Sequence, residues 1–175
     1  MVVQSTRHFL VRVEQLNEAP EPIVLASLTS AVRGSVSELF GDFGLGCVAR
    51  TLQAKNYCAA AGYVLVRSPR KCAANVRAAI VSVRFVNKRA VRLSVVHAAG
   101  SQRTARRAML TRLERALAAH ERRPAGAALG LCEDGDPPAA QSTPASASPT
   151  ATSTRQASDI RRMIRDLTAE MNSSS

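Results

Sequence analysis

Over its first hundred or so residues the chain switches repeatedly between two apolar periodicities, and that alternation confines it to a layered architecture of strands and helices. In His8-Phe9-Leu10-Val11-Arg12-Val13-Glu14, Phe9, Val11 and Val13 fall on one face, as in a half-buried strand. Pro20 and Pro22 then break the pattern. From Ile23 onward Leu25, Leu28, Val32, Val36, Leu39 and Phe40 recur at spacings of three and four, which draws one stripe along a helix. Gly41 is the expected stop, since glycine commonly stands just past a helix end. Two β-rich runs follow, about 45 to 54 and 57 to 67, read as an antiparallel pair turning at Asn56. Ser68-Pro69 suits a helix start, with serine as cap and proline in the first turn. Cys72, Val76, Ile80 and Val83 mark the buried stripe of that second helix. Asn87-Lys88 turns the chain into a strand in which Val91, Leu93 and Val95 alternate. After Gly100 a third helix sets Met109, Leu110, Leu113 and Leu117 inward and Arg103, Arg106, Arg107, Arg112 and Arg115 around the rest. The order is β-α-β-β-α-β-α. Its first six elements predict an α+β, ferredoxin-like (RRM-like) βαββαβ sandwich with an extra C-terminal helix.

Length fixes how much of the chain can share that fold. With 175 residues, one core is expected, in a domain over 1–123. Between Pro137 and Ser158 every residue except Gln141, Arg155 and Gln156 is Pro, Ala, Ser or Thr, which cannot build a core. Residues 124–157 are therefore read as a low-complexity linker, a disordered tail in composition. Ser158-Asp159 caps an amphipathic helix over 158–172, with Ile160, Met163, Ile164, Leu167 and Met171 on one side. A helix this short is marginal alone in water and needs a surface to dock on, in its own domain or a partner's.

Charge points to the partner. The formal net charge is +11, and it is divided unevenly: residues 1–123 carry +13 and residues 124–175 carry −2. The folded part should therefore attract polyanions, either nucleic acid or an acidic membrane face. Only Lys55, Lys71 and Lys88 are lysines, and the arginine excess suits bidentate phosphate contacts and stacking on bases. Cys47, Cys58, Cys72 and Cys132 form no CxxC pair and His8, His97 and His120 do not cluster with them, so neither a metal site nor a cofactor is expected. Free thiols in strand or helix segments behave as small buried hydrophobes and suit a reducing compartment. The N-terminus has no secretory apolar run and no stretch is long enough to span a bilayer, so a soluble intracellular protein is expected.

No catalytic constellation is visible. Glu14, Glu18, Glu21, Glu38, Asp42, Glu114 and Glu121 sit singly, without a paired acid, a nucleophile with its base, or a metal cluster. His97, ending a strand beside Gly100, reads as a structural histidine before a catalytic or RNA-contacting one. Gly41-Asp42-Phe43-Gly44-Leu45-Gly46 lacks the lysine of a phosphate loop and reads as a helix-to-strand turn. The sheet lacks the aromatic signature of RNA-recognition motifs, since the chain's aromatics are only Phe9, Phe40, Phe43, Tyr57, Tyr63 and Phe85. A sheet face covered by helix or partner is expected instead. The candidate binding site is the start of the third helix, where Gly100, Ser101, Arg103, Arg106 and Arg107 join a helix N-terminus to a cluster of guanidinium groups.

The order of segments resembles the POP-five (processing of precursors, fifth) family of ribonuclease P and ribonuclease MRP protein subunits. The similarity rests on Arg7-His8-Phe9-Leu10, Leu39-Phe40-Gly41-Asp42-Phe43-Gly44, Gly62-Tyr63-Val64-Leu65-Val66-Arg67 and, best of all, His97-Ala98-Ala99-Gly100-Ser101-Gln102-Arg103-Thr104. It covers about 6–119. The chain departs from the family pattern in the second half of the first helix, in the Ala/Arg-rich second helix and in the tail. The resemblance implies a protein that is no enzyme on its own, a non-catalytic subunit supporting the catalytic RNA in 5′ maturation of precursor tRNA, with rRNA processing as a further role. It implies contact with that RNA, indirect contact with precursor tRNA, other protein subunits including a barrel-shaped partner, no membrane, and a place in the nucleus and nucleolus. A ribosomal-type RNA-binding protein, the smaller paralogous subunit of the same enzyme and a protein-interaction module are the competing readings.

Overall fold

A computed structural model describes residues 5–17, 23–122 and 149–173. Five strands form one antiparallel sheet: β1 (Thr6–Gln15), β2 (Gln53–Cys58), β3 (Tyr63–Pro69), β4 (Phe85–Val86) and β5 (Arg89–Ala99). Their order is β2-β3-β1-β5-β4, so the four longer strands take the ferredoxin-like arrangement and the expected α+β sandwich is present. Helices α1 (Leu25–Val48) and α2 (Ala73–Ser82) lie on one side of the sheet. Helices α3 (Gln102–Arg122) and α4 (Pro149–Asn172) lie on the other.

The period-two alternation of β1 explains why two cores exist. Phe9, Val11 and Val13 join Leu28, Val32, Val36, Val76 and Ile80 beneath α1 and α2, while Leu10 points the opposite way into a cluster with Leu65, Met109, Leu113, Ile160 and Leu167. Each large aliphatic side chain fully buried there contributes about 1.5–3 kcal/mol of transfer free energy. Burial of a central strand on both faces is what a three-layer sandwich requires. Polar groups tie the layers: the buried Ser35 hydroxyl donates to Ala79 O at 3.0 Å, and Arg33 Nη2 donates to Ala49 O and Leu52 O, fastening the end of α1 to the start of β2. The terminal helix docks in cis, on α3 and the edge of the sheet.

Several expectations need correction. Gly41 bends the first helix rather than ending it: its φ of 62° interrupts the ladder, and helix resumes to Val48. A left-handed glycine can terminate a helix or kink it, and here apolar Val48 is buried on the far side of the kink. Strand β2 accordingly begins at Gln53, not near 45, and Gly41 to Gly46 is kinked helix instead of a helix-to-strand turn. Ser68-Pro69 does not open a helix. Ser68 pairs with Arg7 in the β1–β3 ladder and is fully buried, so the strand runs through Pro69, and a single 3₁₀ turn over Arg70–Cys72 precedes α2. Asn56 is a bulge inside β2 with φ 52°, while the β2–β3 turn lies at Ala59 to Gly62. Asn87-Lys88 does turn the chain, with both residues at positive φ, and the turn creates the unforeseen short strand β4. Helix α4 starts at Pro149, inside the tract assigned to the linker; residues 123–148, with Cys132, lie outside the described residues, as do Glu18, Pro20, Glu21 and Pro22. The three remaining thiols differ: Cys58 is buried, and burial pushes its pKa up, Cys72 is half-buried and Cys47 is exposed on the helix beyond the kink.

Gly62 fixes the start of β3. It has φ 67°, its carbonyl accepts from the Val13 N–H at 2.7 Å, and a β-carbon there would lie 2.6 Å from Val13 O. Both the positive φ and the backbone clash oppose any side chain. Gly62→Ala is expected to cost about 1–3 kcal/mol, read as a fall in the denaturant midpoint, whereas an unchanged midpoint contradicts this packing.

Candidate nucleic-acid interface

The start of α3 is shaped by its cap. The Thr104 N–H donates to Ser101 Oγ at 3.2 Å, the two hydroxyls lie 2.9 Å apart, and the Ala105 N–H donates to Ser101 O. Ser101 is thus the N-cap, its hydroxyl engaged in holding the first turn. The earlier amides of that turn have no acceptor within the helix, as at any helix N-terminus. Gly100 is exposed, and the Arg7 guanidinium passes over it: a β-carbon at position 100 would sit 2.9 Å from Arg7 Nη1. The glycine therefore admits the Arg7 guanidinium to the helix start. Sequence reasoning placed Arg7 only in the opening of a strand, since the antiparallel pairing of His8 with Ala99 is what carries it there.

Gly100, Ser101, Arg103 and Arg107 stand together and exposed. Arg106 does not join them. Its position borders the buried stripe of Ala105, Met109 and Leu113, so its side chain, 14% exposed, reaches into the seam with α4 and pairs with Glu170 at 2.7 Å. The five residues thus divide into a displayed group and one arginine already paired. Among the described residues the other acids of α3 and α4 contribute the exposed Arg161–Glu121 pair at 2.9 Å.

A second set of cations lies beneath this seam. His8 pairs with Arg67 across β1 and β3, and Lys55 stands on the same face of β2. Burial lowers the His8 pKa below its ordinary 6.5, and the charges of Arg67, Lys55 and Arg106 lower it further. The imidazole is held neutral. Because its folded pKa is depressed, the unfolded chain takes up this proton first, so the His8 contribution is intact above pH 6.5 and is lost as pH falls below it. The melting midpoint is expected to drop from pH 7.5 to pH 5.5 by more in the native protein than in His8→Gln; equal drops contradict the assignment.

His97, by contrast, is exposed, three residues before Gly100. No three His, Cys, Asp or Glu side chains come together as a metal site among the described residues. No helix among them is long and apolar enough to cross a membrane. The sheet face beside α3 is covered by α3 and α4 over Leu10 and Leu65, as expected from its lack of stacking aromatics.

Fold and surface together define a basic, ferredoxin-like sandwich with an arginine-bearing helix start. Its family is shown by sequence: residues 7–110 match the Rpp14/Pop5 family, and the chain belongs to that family of ribonuclease P proteins. Among solved structures it is similar to a chain of the cryo-EM structure of yeast ribonuclease MRP, at 10% identity and a TM-score of 0.47, over 58% of this chain and 78% of that one. No curated protein matches it.

Proposed function

We propose that this chain is a non-catalytic, RNA-binding protein subunit of a ribonuclease P or ribonuclease MRP ribonucleoprotein, bracing the catalytic RNA during 5′ maturation of precursor tRNA. Membership of the Rpp14/Pop5 family carries the reading. The charge supports it: a net +13 over residues 1–123 attracts RNA from a distance, and Arg103 and Arg107 at an exposed helix start supply direct phosphate contacts. In this reading the RNA performs the chemistry, the chain touches precursor tRNA only indirectly, a barrel-shaped protein subunit is a neighbour, and the complex works in the nucleus and nucleolus.

The experiment is a precursor-tRNA cleavage assay on two samples. Purified chain alone is expected to release no 5′ leader, and the complex captured through the tagged chain is expected to release it until nuclease destroys its RNA. Leader cleavage by RNA-free protein, or by the captured complex after its RNA is destroyed, contradicts the proposal.

A further inference from the structure

We infer that the sheet face beside the α3 N-terminus holds a second phosphate-binding site, built by Asn56, Arg67 and Arg106, in which the Glu170 carboxylate of α4 stands where an RNA phosphate would sit. The inference deepens the RNA-binding reading and rests on it. Two donors from separate elements converge on a single Glu170 oxygen: Arg106 Nη2 from α3 at 2.7 Å and Asn56 Nδ2 from β2 at 3.4 Å. Asn56 lies at the β2 irregularity with left-handed φ, an arrangement that a plain strand would not provide. Behind them Arg67 and Lys55 add positive charge on the same face. The buried Nε atoms of Arg67 and of Arg106 have no acceptor among the described residues. The Glu170 carboxylate as placed therefore leaves guanidinium donors of the cluster unmatched, whereas an RNA backbone phosphate, with the same single negative charge, spreads its oxygens tetrahedrally in a geometry that guanidinium groups fit in pairs.

The position of Glu170 makes the exchange feasible. Helix α4 is held by Ile160 and Leu167, both fully buried, and Glu170 lies beyond them in the last turn, which ends at Asn172. Its side chain is 46% exposed. Helix ends fray readily, so opening the final turn uncovers the cluster while the apolar anchor stays in place. The site is also continuous with the displayed arginines, because Arg106 belongs to the same helix as Arg103 and Arg107.

The test compares Glu170→Gln with Glu121→Gln in the full chain. Both remove one negative charge from an α3–α4 ion pair, but only the first faces the cluster. Binding of a labelled precursor-tRNA transcript is titrated from about 50 to 200 mM salt, a range over which phosphate contacts dominate the change in affinity. Glu170→Gln is expected to tighten binding by about three- to tenfold at the low-salt end and to steepen the salt slope by up to about one unit, the signature of one additional bound phosphate. Glu121→Gln is expected to change affinity less than twofold, and adding Arg106→Ala to Glu170→Gln should cancel the gain. Equal affinities for the two Gln variants, or a gain that survives Arg106→Ala, overturn the guarded site while leaving RNA binding intact. Absence of salt-dependent RNA binding in the native protein and in Glu170→Gln alike overturns the RNA-binding reading and the site with it.

Discussion

Truncating Leu113 to Ala is expected to remove about 2–5 kcal/mol, a large part of the roughly 5–15 kcal/mol by which a domain of this kind is stable. Leu113 has no exposed surface and belongs to the cluster in which α3 meets Leu10 and Leu65 of the sheet on one side and Ile160 and Leu167 of α4 on the other. Neither strand nor helix can close the resulting cavity without loosening its packing elsewhere, so the cost exceeds the transfer free energy of the deleted methylenes. The midpoint of thermal unfolding should fall by on the order of 10 °C. Leu39→Ala is the matched control. Leu39 lies on the apolar stripe of α1 by sequence but is 49% exposed, and its truncation should stay within about 0.5 kcal/mol. Equal losses at the two positions contradict the placement of the second core.

The other large effect concerns RNA. Arg103→Ala combined with Arg107→Ala removes two exposed guanidinium groups one helical turn apart, each able to form a charge-assisted hydrogen bond of about 1.5–3 kcal/mol. Affinity should fall by about tenfold or more at low salt, across RNA sequences alike, and the salt slope should shrink by about one unit for each phosphate the protein no longer neutralises. Arg70→Ala with Arg77→Ala removes the same charge from the 3₁₀ turn and α2, among the elements of the opposite helical layer, where both arginines are exposed. If that control loses as much affinity and the Arg103 and Arg107 pair leaves the slope unaltered, the interface lies elsewhere.

What the sequence made legible was local. The alternation of Phe9, Val11 and Val13, the stripe through Val76 and Ile80, the positive-φ turn at Asn87-Lys88 and the capped start of α3 all follow from spacing and residue type, and the strand order follows once they are in place. The misreadings have a common physical source. Gly41 and Ser68-Pro69 are residues whose local preferences fit two outcomes, and tertiary packing chose between them: a kink because Val48 had a core to enter, an extended strand because Ser68 had Arg7 to pair with. The start of α4 was hidden because Ala, Ser and Thr say little about helix when no apolar stripe runs through them.

The candidate interface was legible by halves for the same reason. Arg103 and Arg107 could be placed from helical period alone. That Arg106 faces Glu170, that Arg7 crosses Gly100 and that His8 lies among Arg67, Lys55 and Arg106 depend on contacts between residues far apart in sequence, and no spacing reveals them. The terminal helix illustrates both sides. Its need for burial was readable from Ile160 and Leu167, and the surface that meets the need was not.

The central claim, a protein that serves an RNA catalyst, is tested most directly by the identity of the RNA it holds. Capture of the tagged full chain from its own cells, followed by sequencing of the bound RNA, is predicted to enrich a ribonuclease P or ribonuclease MRP RNA far above its cellular share, and the Arg103 and Arg107 double variant should lower the yield. Enrichment of ribosomal RNA instead, or protein complexes that contain no discrete RNA and survive nuclease intact, would contradict the account.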